Sequence, residues 1–170
     1  MRFIWRTYLE PILDYSSQLY SPCSGGSLVR LESLLESFSS KIEGLENSCY
    51  WDRLKTLKVY SITRCFEWYK ILYCMKILNQ ETQNCGLTWN YSKETGYQFN
   101  IPKFGNFYTN ERRQSFNYMG PSLFNSLPLY LRKEIMDTSV WKVDLDKFLE
   151  SIPDNPITLK ISSRLRYLFW

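Results

Sequence analysis

The stretch ITRCFEWYKILYCMKIL, Ile62 to Leu78, decides the fold. Ile62, Cys65, Phe66, Trp68, Tyr69, Ile71, Leu72, Met75, Ile77 and Leu78 cover nearly the whole circumference of a helix, leaving Thr63, Glu67 and Lys70 as one narrow polar stripe. A helix that is apolar almost all round belongs in the middle of a domain. Ser61 stands at its expected N-cap, where a hydroxyl can accept one of the amide protons that a first turn leaves unpaired. The longest run free of polar residues, around Ile71 to Met75, is far short of the ~20 residues a membrane span needs.

Upstream, Phe3 to Leu19 reads as helix with a break near Leu9–Glu10 imposed by Pro11. Ser21 to Gly26 is a loop, and Ser27 is placed to cap a leucine helix carrying Leu28, Leu31, Leu35, Phe38 and Ile42 on one face. Glu32, Glu36 and Ser39 fall on its other side. Gly44, Asn47 and Ser48 close that element, and Tyr50 to Leu57 reads as a short helix.

Downstream, helical periodicity stops from Asn79 to Asn110. Tyr97, Phe99 and Ile101 alternate with Gln98 and Asn100, which predicts a strand ending at Pro102. Gly105-Asn106 gives a turn and Ser115 to Tyr118 a partner strand. Gly120-Pro121 is expected to open a short helix that stops before Pro128. A last helix holds Trp141, Leu145, Phe148, Leu149 and Ile152 on one face and ends at Pro153. The fold class is therefore mainly α: five to seven helices with one small antiparallel β-hairpin near Tyr97–Tyr118. The N-terminal helix should pack on the leucine helix, and Ile62–Leu78 should be the hub for the hairpin and the last helix.

Composition excludes much chemistry. The chain has 170 residues and no histidine. That rules out Ser/His and Cys/His nucleophile pairs, an imidazole proton shuttle and any His-containing zinc site. The 5 cysteines, Cys23, Cys49, Cys65, Cys74 and Cys85, form no CxxC and read as free thiols in a reducing compartment rather than as disulfides or metal ligands. MRFIWRTYLEP at the start lacks the apolar core of a secretory signal. A soluble, intracellular protein is expected. Asp144 and Asp146, two apart on a helix, point in different directions, and no Asp-Asp pair or glycine-rich phosphate loop is present. No catalytic residue, metal or cofactor is predicted.

The net charge of +4 is local. Residues 52–76 hold Arg53, Lys55, Lys58, Arg64, Lys70 and Lys76 against only Asp52 and Glu67, among Trp51, Tyr60, Trp68 and Tyr73. Basic residues interleaved with aromatics suit a nucleic-acid backbone with nearby bases. A solvated helix face with core aromatics behind it accounts for the same pattern, and both readings stand at this level. Arg112-Arg113 at the predicted turn either contacts phosphate or solvates the strand edge.

Four stretches, in order, resemble the region that follows the polymerase core in reverse transcriptases of LINE-type (non-LTR, jockey/CR1-like) retrotransposons. YLEPILDYSSQLYSP at Tyr8–Pro22 is similar to the thumb segment, where a Pro-Ile-Leu-x-Tyr helix leads to Ser-Pro. The leucine helix Leu28–Ile42 with YWDRLKTLKVYS at Tyr50–Ser61 resembles a Tyr-Trp-x-Arg-Leu-Lys-x-Leu-Lys pattern. RRQSFNYMGPSLFNSLP at Arg112–Pro128 and LDKFLESIPDNP at Leu145–Pro156 complete the set. Two departures remove positive charge: FSSKI at Phe38–Ile42 stands where relatives carry Phe-Thr-Arg-Lys-Ile, and SITRCFEWYKILYCMKI keeps Arg64 but not the run of arginines. The palm motif Tyr-x-Asp-Asp is absent.

The resemblance implies residues 1–47 as thumb-like helices, 48–156 as the post-polymerase region and 157–170 as a tail. It implies a truncated, non-catalytic fragment of an RNA-directed DNA polymerase that grips template-primer or element RNA. RNA or an RNA/DNA duplex would be the partner, with Arg53, Lys55, Lys58, Arg64, Lys70, Arg112 and Arg113 as candidate backbone contacts, in the nucleus or cytoplasm. A face once buried on the palm would invite self-association. The alternative is a decayed or co-opted protein-interaction module with no nucleic-acid role.

Overall fold

A computed structural model describes residues 3, 5–9, 11–12, 15, 25–84, 86–102, 115–135, 137–152 and 154. A π-helical turn at Trp5–Leu9 precedes α1 (Gly25–Ser40), α2 (Tyr50–Leu57) and α3 (Ile62–Leu78). Strands β1 (Trp89–Ser92) and β2 (Gly96–Phe99) follow, then α4 (Phe116–Asn125), α5 (Leu129–Arg132) and α6 (Thr138–Glu150). The described residues are mainly helical with one two-stranded antiparallel sheet, as the periodicities predict. No described helix is long and apolar enough to cross a membrane.

The described residues fall into two compact units that divide within α3. The first holds residues up to Phe66 together with Asp154, the second those from Glu67 to Ile152. In the first, the leucine spacing of α1 turns Leu35 into a core with Trp5, Leu54, Ile62 and Phe66, flanked by Leu28, Leu31 and Phe38. Trp5 meets Phe38 with ring centroids 5.6 Å apart, so the N-terminal turn packs on the leucine helix. Helix α1 begins at Gly25, so Ser27 lies inside it and is not its cap. Gly25 and Gly26, expected in the loop, are the first residues of α1, while Glu10 and residues 21–24, the rest of the expected break and loop, lie outside the described residues.

The second unit is built on an aromatic series. Trp141 is fully buried and donates its indole N–H to the Leu131 carbonyl at 2.8 Å. Phe124 stacks beside Trp141 at 6.3 Å, and Phe99 meets Phe124 edge-on at 5.2 Å. Trp89 and Phe99 then pair across the hairpin at 5.8 Å, with Tyr91 and Tyr97 beyond them at 4.7 Å. The hairpin thus rests on α4 and α5. The α3 residues Ile71, Cys74, Met75 and Ile77 are buried, and Trp68 is half-buried with its indole N–H on the Asp146 carboxylate at 2.8 Å.

This region departs from the expected pairing and helix start. The partner of β2 is Trp89–Ser92, not Ser115–Tyr118: Trp89 pairs with Phe99, Asn90 with Gln98, Tyr91 with Tyr97 and Ser92 with Gly96. Ser115 is instead the extended N-cap residue of α4, its carbonyl accepting from the Tyr118 and Met119 amides. Helix α4 consequently opens at Phe116, ahead of Gly120-Pro121, which lies inside it. Gly120 belongs there for a steric reason, since a Cβ would stand 2.7 Å from the Phe116 ring and 3.2 Å from the Cys74 sulfur. Gly105-Asn106 lies outside the described residues.

Candidate nucleic-acid interface

Three of the seven candidate contacts point inward. Arg53 keeps 7% of its surface exposed; its Nε donates to Ser39 Oγ at 3.1 Å and Nη1 to the Ser48 carbonyl at 2.7 Å. Its guanidinium carbon also lies 5.8 Å from the Tyr50 ring centroid. Arg64 is 1% exposed, with Nε 3.8 Å from Asp154 Oδ1, and Lys70 is buried too. A cation enclosed in this way cannot reach an outside phosphate, so Arg53, Arg64 and Lys70 leave the contact set. Glu67 and Lys70 also fail as a solvent stripe, because both are buried.

Lys55 and Lys58 are exposed at the end of α2. Lys58 is its C-cap, in the left-handed region at φ 51°, with its amide held by the Leu54 and Lys55 carbonyls. Half-buried Trp51 and Tyr60 lie a few residues to either side in sequence. Arg112 and Arg113 lie outside the described residues.

The polar cluster that the sequence did not single out gathers at the start of α3. Ser61 accepts the Arg64 amide at 3.1 Å, as its position predicts. Asp154 takes both the Ser61 amide and the Ser61 hydroxyl at 2.8 Å. Glu32 reaches in from α1, accepting the Ile62 amide at 3.1 Å and the Tyr50 hydroxyl at 2.5 Å. Carboxylates belong at a helix N-terminus, where unpaired N–H groups carry the positive end of the helix dipole. Burial nevertheless pushes the Glu32 carboxyl above its ordinary value, outweighing the bonds from Tyr50 and the α3 amides. Burial and the adjacent Glu32 charge push the Tyr50 phenol up as well.

This cluster is a capping station and not a reaction centre. The Ser61 oxygen is fully buried and already both donates and accepts, so no substrate atom can approach it. Cys74 is likewise enclosed, and burial pushes its thiol far from reactive ionisation. Among the described residues no group of His, Cys, Asp or Glu side chains is placed to hold a metal ion. A search of protein families, of curated proteins and of solved structures finds no match to this chain.

Three of the resembling stretches divide into inward- and outward-facing residues or cap a helix. In YWDRLKTLK, Tyr50, Arg53 and Leu54 face inward while Lys55 and Lys58 face out. In GPSLFNSLP, Gly120, Pro121, Leu123, Phe124 and Leu127 are buried, and Asn125 binds both backbone groups of Phe99 at 2.9 and 2.8 Å. In PDNP, Asp154 caps α3.

Proposed function

We propose that the chain is the thumb-side, post-polymerase part of a LINE-type reverse transcriptase, without polymerase chemistry of its own, and that it contacts RNA or an RNA/DNA duplex through the exposed end of α2. The observation that carries this reading is the sorting of the YWDRLKTLK stretch. Its inward residues are spent on packing and capping, while Lys55 and Lys58 are the cations of the stretch exposed on the outer surface, where a phosphate backbone could lie. Such a role places the protein in the nucleus or cytoplasm, and free Cys49, Cys65 and Cys74 suit a reducing compartment.

Binding of a short RNA/DNA hybrid, followed by fluorescence anisotropy across a salt series, tests the reading. Affinity should fall steeply with salt, and Lys55→Ala with Lys58→Ala should lower the log–log slope by about 2. No binding above a neutral control at low salt, or an unchanged slope, would count against it.

A second reading, a protein-interaction module, is favoured by one observation. Phe3, Tyr8, Ile12, Tyr15, Val29 and Leu34 are all exposed within the first 34 residues, a concentration of large apolar surface that invites association. Val29→Glu with Leu34→Glu should then weaken self-association in sedimentation without lowering the melting temperature.

A further inference from the structure

The two edges of the hairpin are treated differently. The Asn100 amide donates to the Thr88 carbonyl at 2.8 Å, so Thr88–Asn100, Asn90–Gln98 and Ser92–Gly96 are the hydrogen-bonded pairs of the ladder. The backbone groups of Trp89, Tyr91, Tyr97 and Phe99 therefore point away from the partner strand. On the β2 side three of these four groups, the amide and carbonyl of Phe99 and the carbonyl of Tyr97, are satisfied by side chains. Asn125 takes the amide and carbonyl of Phe99, and Arg132 Nη1 donates to the Tyr97 and Thr95 carbonyls at 3.3 and 2.9 Å. On the β1 side the amides and carbonyls of Trp89 and Tyr91 have no hydrogen-bond partner among the described residues. Asn90, Tyr91 and Ser92 are exposed there.

An open edge is a template for another strand, and proteins normally blunt it by shortness, charge, proline or a bulge. The strand WNYS is short, four residues, but carries no charge, proline or bulge. Its outward groups also have a particular symmetry. With two outward residues separated by Asn90, a two-fold axis through Asn90 sets Trp89 opposite Tyr91 of the other strand twice over. Both are then hydrogen-bonded pairs, so all four outward groups on each strand are used. Shifting the register by two residues in either direction leaves one pair inside the strands and half the groups unmet.

We propose that β1 pairs with β1 of a second copy of this chain, antiparallel about Asn90, to make a four-stranded sheet. The uncharged strand meets an identical uncharged strand of the same length. Directly opposed residues share a face, so Trp89 of one copy lies beside Tyr91 of the other. The aromatic pairs Trp89–Phe99 and Tyr91–Tyr97 are thereby joined into one ladder across the dimer. The pairing does not depend on the retrotransposon reading, nor on the apolar residues of the first unit.

Asn90 is the point at which the proposal is most exposed to test. It faces its own copy in the closer, non-hydrogen-bonded type of pair, with Cβ atoms about 4.5–5.5 Å apart. Asn90→Lys and Asn90→Glu would each set like charges face to face and weaken the dimer at least tenfold. A one-to-one mixture of the two should restore it as a heterodimer. Tyr91→Pro removes an outward N–H without touching the β1–β2 ladder and should also abolish pairing, whereas Tyr91→Thr, which keeps the N–H, should retain it. Sedimentation of the full chain reads all of these, in parallel with the Val29→Glu/Leu34→Glu variant, and circular dichroism checks folding. The expected result is a concentration-dependent dimer lost in each Asn90 variant and regained on mixing. A monomer at every concentration, an Asn90→Lys chain that dimerises like the parent, or a mixture no better than its components would overturn the proposal. Association removed by the Val29/Leu34 changes but indifferent to Asn90 would overturn it while upholding the interaction-module reading.

Discussion

Glu32 shows how little a helical wheel says about a polar residue's destination. Spacing assigns Glu32 and Ser39 to the solvent side of the leucine helix, yet Ser39 is fully buried on Arg53 and Glu32 serves Tyr50 and the α3 amides. Composition counts charges but not their directions, which is why Arg53, Arg64 and Lys70 were legible as cations and not as enclosed ones. Replacing Arg53 by Met should cost about 2–3 kcal/mol in urea unfolding, because Ser39 and the Ser48 carbonyl lose a charged donor. The pH response of Glu32 has a definite sign. Its folded-state pKa is raised, so its contribution is fully present below the ordinary value of 4.5 and is lost as pH rises through the folded value. Asp137, which caps α6 through Ser139, behaves oppositely: its pKa is lowered, and its contribution fades as pH falls below the ordinary 3.8 through the folded value. Unfolding across pH should show Glu32→Gln flattening the decline above 4.5, and superimposable profiles for parent and variant would contradict the assignment.

Among the elements, those with long periodic faces were readable and the hairpin partner was not. The face Trp141, Leu145, Leu149 of α6 is buried as its spacing predicts, and so is most of the apolar circumference of α3. The four residues Ser115–Tyr118 alternate like a strand, but four residues also make a helical turn, and no local signal separates the two. What decides is tertiary: Phe116 packs edge-on against Tyr73 at 5.0 Å, and Gly120 permits the close approach to Cys74. The true partner, Trp89-Asn90-Tyr91-Ser92, carries the same alternation and lies one short turn before β2. That turn depends on Gly96, which sits at φ +67° where a Cβ would fall 2.5 Å from the Arg132 carbonyl oxygen. Gly96→Ala should therefore destabilise the second unit by more than about 1 kcal/mol in thermal unfolding. Asn125→Ala removes both bonds to Phe99, and hydrogen exchange should report faster exchange at the Phe99 amide than at Asn100, whose bond to Thr88 is untouched.

For the molecule as a whole, a mainly helical fold was legible because apolar spacing repeats over whole helices, whereas the exposed contact surface was not. Surface is what remains after packing is settled, and packing claimed three of the cations that the charge count had offered. The Ser61–Asp154 contact also joins residues 93 apart in the chain. Closing so long a loop costs conformational entropy before the contact returns anything, so the cap belongs to the late stages of folding. Asp154→Ala should then leave the refolding rate nearly unchanged and accelerate unfolding, the kinetic signature of an interaction absent from the transition state. The start of the central helix would be guarded by a latch that sets how long the native state lasts, not how quickly it is reached.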